Sequence, residues 1–151
     1  MKVSKLLNIH GMLALTVRPD CTLAEAARRL AEVVGGRRFS IAVVTDADDH
    51  VEGVISLGDI CHALGRYEGE AAKMLVTDAM SSTVTTCTLD DNLEDVLRVM
   101  ADKGIRHTPV IEGGKLVGLV ARRDALEFLY HETSLDSAHL TDWLFRSDAR
   151  Y

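Results

Sequence analysis

The chain predicts an α/β (α+β) fold in which one β–α–β–β–α unit is used twice and the two copies pack about a pseudo-twofold axis. Three observations predict it. First, an ordered series of blocks recurs: VSKLL, CTLAEAARRLAEV, IAVVT and VEGVISLGDICHAL return as VTDAM, CTLDDNLEDVLRV, TPVIE and KLVGLVARRDALEFL. Second, each copy alternates a helix-spaced apolar stretch with short β-branched runs. Third, each copy closes on the same glycine-to-aspartate frame. Aligning the blocks pairs Thr22 with Thr88, Val44 with Ile111, Gly53 with Gly118 and Asp59 with Asp124. A copy of about 70 residues is marginal for a core of its own, so a fused module is expected. The expected divisions are 1–68 for the first copy, 69–132 for the second with its leader, and 133–151 for a helical tail.

In the first copy, Leu15-Thr16-Val17 reads as a short strand. Thr22 and Glu25 form a T-x-x-E capping box. The apolar spacing Leu23, Ala26, Ala27, Leu30, Val33 and Val34 then predicts a helix that Gly35-Gly36 stops. Ile41 to Thr45 and Val51 to Ser56 read as strands around an acidic turn, and Asp59 opens a helix to about Tyr67. The second copy repeats the series. Thr83-Val84 is its first strand, Thr88 and Asp91 cap a helix bearing Leu89, Leu93, Val96, Leu97 and Met100, and Gly104 ends it. Strands near Pro109–Glu112 and Leu116–Ala121 flank a Gly113-Gly114 turn, and a helix runs from Asp124 to about Glu132. Asn8–Ala14 has no partner in the second copy. Leu135, Ala138, Leu140, Trp143 and Leu144 suggest a tail helix that packs on the body or on a dimer partner.

Composition narrows the function. Net charge is −6, which argues against nucleic acid as a partner. No apolar run reaches the ~20 residues that span a bilayer, and KVSKLLNIHG lacks the apolar stretch of a signal peptide. A cytoplasmic protein is expected, with Cys21, Cys61 and Cys87 as reduced thiols in structural roles. GxxxxGK[ST], GxGxxG after the first strand and G-x-S-x-G are absent, so no catalytic activity is expected. His131 and His139 do not share a helix turn with Glu132 and Asp136 in metal-ligand geometry, and no metal is expected.

The strand-to-helix junctions carry the most specific chemistry. GVISLGD (Gly53–Asp59) fits G-h-h-[ST]-x-x-D, and GLVARRD (Gly118–Asp124) fits it with Ala121 in place of the hydroxyl. A carboxylate at a helix start can accept from two neighbouring ribose hydroxyls. A hydroxyl three residues earlier can donate to a phosphate, and the free N–H groups of the helix start favour an anion. One such frame is an ordinary helix cap; two, each after a β-hairpin, point to a ligand.

With VSKLL and VTDAM, the TV…CTL segments, GIRHTPVIEGGKLVGLV and the two junctions, the chain resembles a tandem pair of cystathionine-β-synthase (CBS) domains over residues 1–132, of the stand-alone bacterial type. The resemblance implies a Bateman module, often a homodimer. It implies that an adenosine ligand (AMP, ADP, ATP, NAD(H) or S-adenosylmethionine) binds in the cleft between the copies and that the bound state is relayed to a separate effector protein. No cofactor is required. Carried over by residue, Asp59 is the ribose carboxylate of the first site and Ser56 the phosphate-side hydroxyl. Thr16 and Val17 line the base, and Arg38, Phe39, Ser40 and Ala42 border base and phosphate. In the second site Asp124 takes the ribose, Thr83 and Val84 line the base, and Ile105, Arg106, His107 and Pro109 border it. Ala121 removes the hydroxyl there, and Arg106, His107, Arg122 and Arg123 offer cations instead. Ala42 stands where the family has Pro. The alternative is a ligand-independent interaction module acting through dimerisation and the tail.

Overall fold

The order helix–strand–strand–helix occurs twice in the computed structural model, which describes residues 1–133, and the first copy adds a leading strand. Helix α1 (Val3–His10) leads. Strand β1 (Thr16–Val17), helix α2 (Leu23–Ala31), strands β2 (Ile41–Thr45) and β3 (Val51–Ser56) and helix α3 (Leu57–Tyr67) make the first copy. A 3₁₀ segment (Glu68–Lys73) and the short α4 (Val76–Ala79) follow. Helix α5 (Leu93–Lys103), strands β4 (His107–Glu112) and β5 (Lys115–Ala121) and helix α6 (Arg122–Thr133) make the second. No helix of the described residues is long and apolar enough to cross a membrane.

The chain forms two compact units. One holds Met1–Met12, Thr86–Glu112 and the described residues from Val117 on; the other holds Leu13–Thr85 and Gly113–Leu116. The core of the first unit is Val3, Leu6 and Leu7 of α1 with Leu93, Val96, Leu97 and Met100 of α5 and Ala125, Leu126, Phe128 and Leu129 of α6. The core of the second is Leu23, Ala26 and Leu30 of α2 with Ala42, Val44, Ile55, Ile60 and Ala63, and Ala71 and Val76 beneath them. In this second unit β1 runs parallel to β2 and β2 antiparallel to β3.

The leaders are exchanged between copies. Val3 N–H donates to the carbonyl of Asp91, and Leu93 N–H to that of Met1, at 3.0 and 2.6 Å. In the other unit Val76 N–H donates to Cys21 and Leu23 N–H to Met74, both at 2.8 Å. Each leader therefore caps the helix of the opposite copy, whereas the sequence divisions kept Met1–Leu7 with the first copy and 69–80 with the second. The unpaired N–H groups at a helix start explain the arrangement, since each leader supplies a carbonyl at that end.

The helix caps also correct the pairing of the copies. Thr22 caps α2 through a full capping box with Glu25. The matching cap of α5 is Asn92, whose side chain accepts from Glu94 and Asp95 N–H, not Thr88, which lies in the turn before it. Thr22 and Asn92 are 70 residues apart, and Leu23, Ala26 and Leu30 then match Leu93, Val96 and Met100 in burial. The hairpins are 66 apart (Ile41, His107) and the junction helices 65 (Leu57, Arg122). The difference accumulates in the helix-to-strand connection, which is long in the first copy (32–40) and short in the second (104–106). Two further expectations change with it. Thr83-Val84 forms no strand; the residue that pairs parallel with the second hairpin is Cys87, opposite Val110. And α2 stops at Ala31, before Gly35-Gly36, which instead form the two-residue turn of a small hairpin closed by Val34 and Arg37 (φ 59° and 76°), values open to glycine. Of the Asn8–Ala14 insertion, the first three residues extend α1 and Gly11 ends it. The tail expectations, with His139, lie outside the described residues.

Candidate ligand-binding site

At the first junction β3 passes into α3 with no connecting loop, so the N–H groups of the helix start open at the end of the sheet. Leu57 N–H donates to the Ser40 carbonyl at 3.0 Å, which holds the 38–40 segment against that end. Ile41 faces Ser56 across the hairpin, and β1 is joined to β2 by Val43 N–H donating to the Leu15 carbonyl. Thr16, Ser40, Ser56 and Asp59 are thus placed by one short piece of sheet. Ser56 and Asp59 are engaged with each other. Ser56 N–H and its hydroxyl both donate to Asp59 Oδ2 at 2.8 Å, and the hydroxyl accepts from Asp59 N–H at 3.1 Å. This is a capping box. Both bonds to the carboxylate fall on Oδ2, leaving Oδ1 for another donor.

The second junction has the same path and different chemistry. Arg122 N–H donates to the Arg106 carbonyl at 2.9 Å, the counterpart of the Leu57–Ser40 bond. Ala121 gives no capping hydroxyl, and Asp124 occupies the first turn of α6. Arg122 is only 9% exposed. His107 is partly buried, and its imidazole is held below the usual range: burial is the main cause, Asp124 opposes it, and Arg106 and Arg122 add to it. His107, Arg106, Arg122 and Asp124 therefore form one electrostatic cluster.

Other expected residues fall elsewhere. Val17 and Ala42 are buried in the core at 2% and 0% exposure, and Pro109 is buried in β4, so only their backbones can border a ligand. Phe39 and Ile105 pack on the edges of the two cores. Arg38 and Arg123 are exposed. Thr83 is exposed and belongs to the unit that holds the first copy, whereas Arg106 and Asp124 belong to the other unit. The residue that corresponds to Thr16, by its distance from the helix cap, is Thr86. Sequence reading missed it because the repeated CTL drew the alignment four residues off; the spacing from Thr16 to Thr22 and from Thr86 to Asn92 carried the correct register.

Two other features compete for attention. A shallow groove of about 530 Å³ runs along α3 between Cys61, His62, Gly65 and Arg66, beyond the junction residues. Asp46, Asp48 and His50 bring three ligand-type groups within 4.8 Å. There, however, Asp46 Oδ1 accepts from the backbone N–H groups of Asp48 and His50, and Oδ2 meets His50 Nδ1 at 3.1 Å, so the cluster is a turn closed by its own side chain. Cys87 is buried, and burial with Asp91 beside it pushes its thiol up to about 12, which keeps it protonated and unreactive.

Comparison with known proteins now adds to the geometry. The sequence matches the CBS domain over residues 14–66 and again over 76–131. The chain belongs to the CBS domain family. As a CBS pair it is similar to a 17.7 kDa protein of Acidianus ambivalens, 34% identical over 109 residues, covering 72% of this chain and 62% of that one. The matches span from about a third to three-fifths of the first curated relatives' own lengths. Among solved structures, a CBS-domain protein from Agrobacterium tumefaciens superposes with a TM-score of 0.75 at 29% identity, covering 85% of this chain and 98% of that one. The cytosolic domain of the Mg²⁺ channel MgtE, solved in complex with ATP, superposes with a TM-score of 0.62 at 28% identity, covering 77% and 45%.

Proposed function

We propose that this CBS pair is a non-catalytic regulatory module that binds an adenosine nucleotide at its strand-to-helix junctions and passes the bound state to a separate effector. The observation that carries the reading is the repeated junction. Each copy sets a first-turn carboxylate, Asp59 or Asp124, on a helix that follows its strand without a loop, and each fixes that turn by one N–H bond to the 38–40 or 104–106 segment. A helix needs a cap, but it does not need the same clamp and the same carboxylate in both copies. The ATP bound by the MgtE cytosolic domain supports the ligand class. With the register corrected, Thr16 and Thr86 flank the base, and Asp59 and Asp124 take the ribose hydroxyls. A ligand shifts the module between arrangements only by its differential affinity for them.

Titration of the purified protein with AMP, ADP, ATP, NAD, S-adenosylmethionine and GTP tests this. A ligand at 100 times its Kd adds about 2.7 kcal/mol, a rise of roughly 5–10 °C in Tm for a chain of this size. The rise should be selective for adenosine compounds and lost in Asp59→Asn with Asp124→Asn. A flat response from the wild type overturns the reading.

One observation favours the alternative, a ligand-independent module that works by homodimerisation. Ser56 and Asp59 already satisfy each other, so the first junction is complete as a helix cap. In that case the double variant loses stability, no nucleotide changes Tm, and sedimentation reports a dimer with and without nucleotide.

A further inference from the structure

We propose that the first copy carries a docking surface for an acidic segment of a partner protein, formed by the end of α2 and the small hairpin that follows it. Its role as the contact for the effector rests on the reading above; the surface itself rests on charge and shape. Between Leu13 and Thr85 the chain has six arginines and one lysine. Four of those arginines, Arg28, Arg29, Arg37 and Arg38, fall within eleven residues, with Glu32 as the one carboxylate among them. A chain of net charge −6 thus gathers a basic segment here. All four arginines are exposed, and so are Val33 (59%) and Leu13 (45%). The hairpin is built to hold its shape. Val34 and Arg37 exchange both backbone bonds, at 2.8 and 3.0 Å, across a turn in which Gly35 and Gly36 take left-handed φ values. A β-carbon at Gly35 would lie 3.0 Å from a methyl of Leu13, so Leu13 backs the turn closely. Val33 and Arg38 are the next residues out on the two arms. A loop already ordered loses less free energy to ordering when a partner binds.

Arginine suits a protein partner. Its planar guanidinium meets a carboxylate through two parallel bonds, is more weakly hydrated than an ammonium, and is enriched at protein interfaces where lysine is depleted. Exposed valine and leucine beside the guanidiniums match a segment that interleaves carboxylates with apolar side chains. A nucleic acid or an anionic membrane would instead bring a long run of negative charge to a chain that is itself negative. The second copy lacks the surface. Its helix-to-strand connection is 104–106, where the first copy has 32–40, so it has no room for a hairpin. Arg98, the equivalent of Arg28, is paired with Asp95 of its own helix at 2.8 Å. Glu25, the equivalent of Asp95, is instead taken up by the capping box with Thr22. In the first copy the hairpin runs on into residues 38–40, which Leu57 N–H holds at the junction through the Ser40 carbonyl. A partner on the hairpin and a ligand at that junction share this segment, and any coupling between them is reciprocal.

The test uses the full chain and a fluorescent peptide of Glu-Glu-Leu repeats, with the same peptide carrying Gln for Glu, an oligothymidylate and phosphatidylglycerol vesicles as controls. Anisotropy should show saturable binding of the acidic peptide, weakened by added salt, and none of the glutamine version. Arg28→Gln with Arg29→Gln should weaken the acidic peptide about fivefold, and Val33→Ser by a smaller factor. These residues are exposed and outside the junction, so both variants should keep the wild-type fold by circular dichroism and the wild-type nucleotide affinity when no peptide is present. Equal binding of the two peptides, or an affinity that both variants leave unchanged, overturns the inference. Tighter binding of the oligothymidylate or the vesicles overturns it too, by giving the arginines to nucleic acid or to a membrane. So does a loss of self-association in the arginine variant under sedimentation, which would give the face to a second copy. If the acidic peptide binds as expected and no nucleotide alters its affinity, the surface stands and the relay of a nucleotide signal through it falls.

Discussion

The two junctions share a backbone and differ in how they satisfy it. In the first, a serine and an aspartate close on one another, and the helix start is complete without a ligand. In the second, alanine replaces the serine, and a buried arginine, a histidine and an aspartate stand at a helix start whose preceding residue carries no hydroxyl. The difference teaches that duplication preserves the path of the chain more strictly than its chemistry. The bonds Leu57–Ser40 and Arg122–Arg106 are backbone bonds and are kept in both copies; the side chains are free to diverge. One copy closes its carboxylate with a hydroxyl; the other sets its carboxylate among basic side chains.

The cores offer the largest test of how alike the copies are. Leu23 and Leu93 are structural equivalents, at 1% and 0% exposure, each the first residue of its helix. Leu23→Ala and Leu93→Ala should each cost about 3 kcal/mol in urea unfolding, from lost burial plus the cavity left behind. Costs that differ by more than about twofold would mean that one unit relaxes around the cavity and the other does not.

A smaller effect separates the glycines that open the junction frames. A β-carbon at Gly53 would strike the Met80 sulfur and come within 2.9 Å of the Ser81 carbonyl oxygen, which is backbone and hydrogen-bonded to Val54. At Gly118 the nearest atom is a terminal methyl of Leu7, also at 2.9 Å, on a side chain that can turn. Gly53→Ala should cost about 2 kcal/mol and Gly118→Ala about 1. A reversal of that order would show that the Val54–Ser81 pairing yields more readily than Leu7 does.

The caps give the next pair. Ser56→Ala removes a side-chain acceptor from α3 and should cost about 1 kcal/mol. Ala121→Ser writes the same box into the second copy. Since Asp124 already has an interaction there, the gain should be smaller, about 0.5 kcal/mol. Equal thermal stability of Ala121→Ser and wild type would mean that Asp124 does not turn to the new hydroxyl.

Much of this was legible in the chain. The order of elements, the Thr22–Glu25 box, both hairpins and both junction carboxylates follow from local signals, and local signals survive into the fold. The register between copies did not follow, because a three-letter coincidence, CTL, outweighed the helix spacing of Leu93, Val96 and Met100. The exchange of leaders was also hidden. Each leader bonds to a helix cap far off in sequence, and nothing in VSKLL or VTDAM states which cap it serves. At the site, the frame was legible, but burial was not: Ala42 and Pro109 read as ligand borders and are buried in their strands, and of the two adjacent arginines that read as site cations, Arg122 is buried while Arg123 is exposed.

The smallest expected effect is a pH dependence present in one copy and absent from the other. Burial, helped by Arg106 and Arg122 and opposed by Asp124, keeps the His107 imidazole below its ordinary value of 6.5 in the folded protein; Ile41 has no proton to exchange. Above that value His107 is neutral in both states and contributes nothing. As pH falls through it, the unfolded chain takes up a proton before the folded one does, so folding stability declines until the folded imidazole titrates as well. The urea midpoint of the wild type should therefore drop between pH 7.5 and 5.5 by more than that of His107→Asn, with the carboxylates common to both cancelling in the difference. Equal slopes for wild type and variant would place His107 in an environment no different from that of an exposed histidine, and the two junctions would then differ in charge without differing in their response to pH.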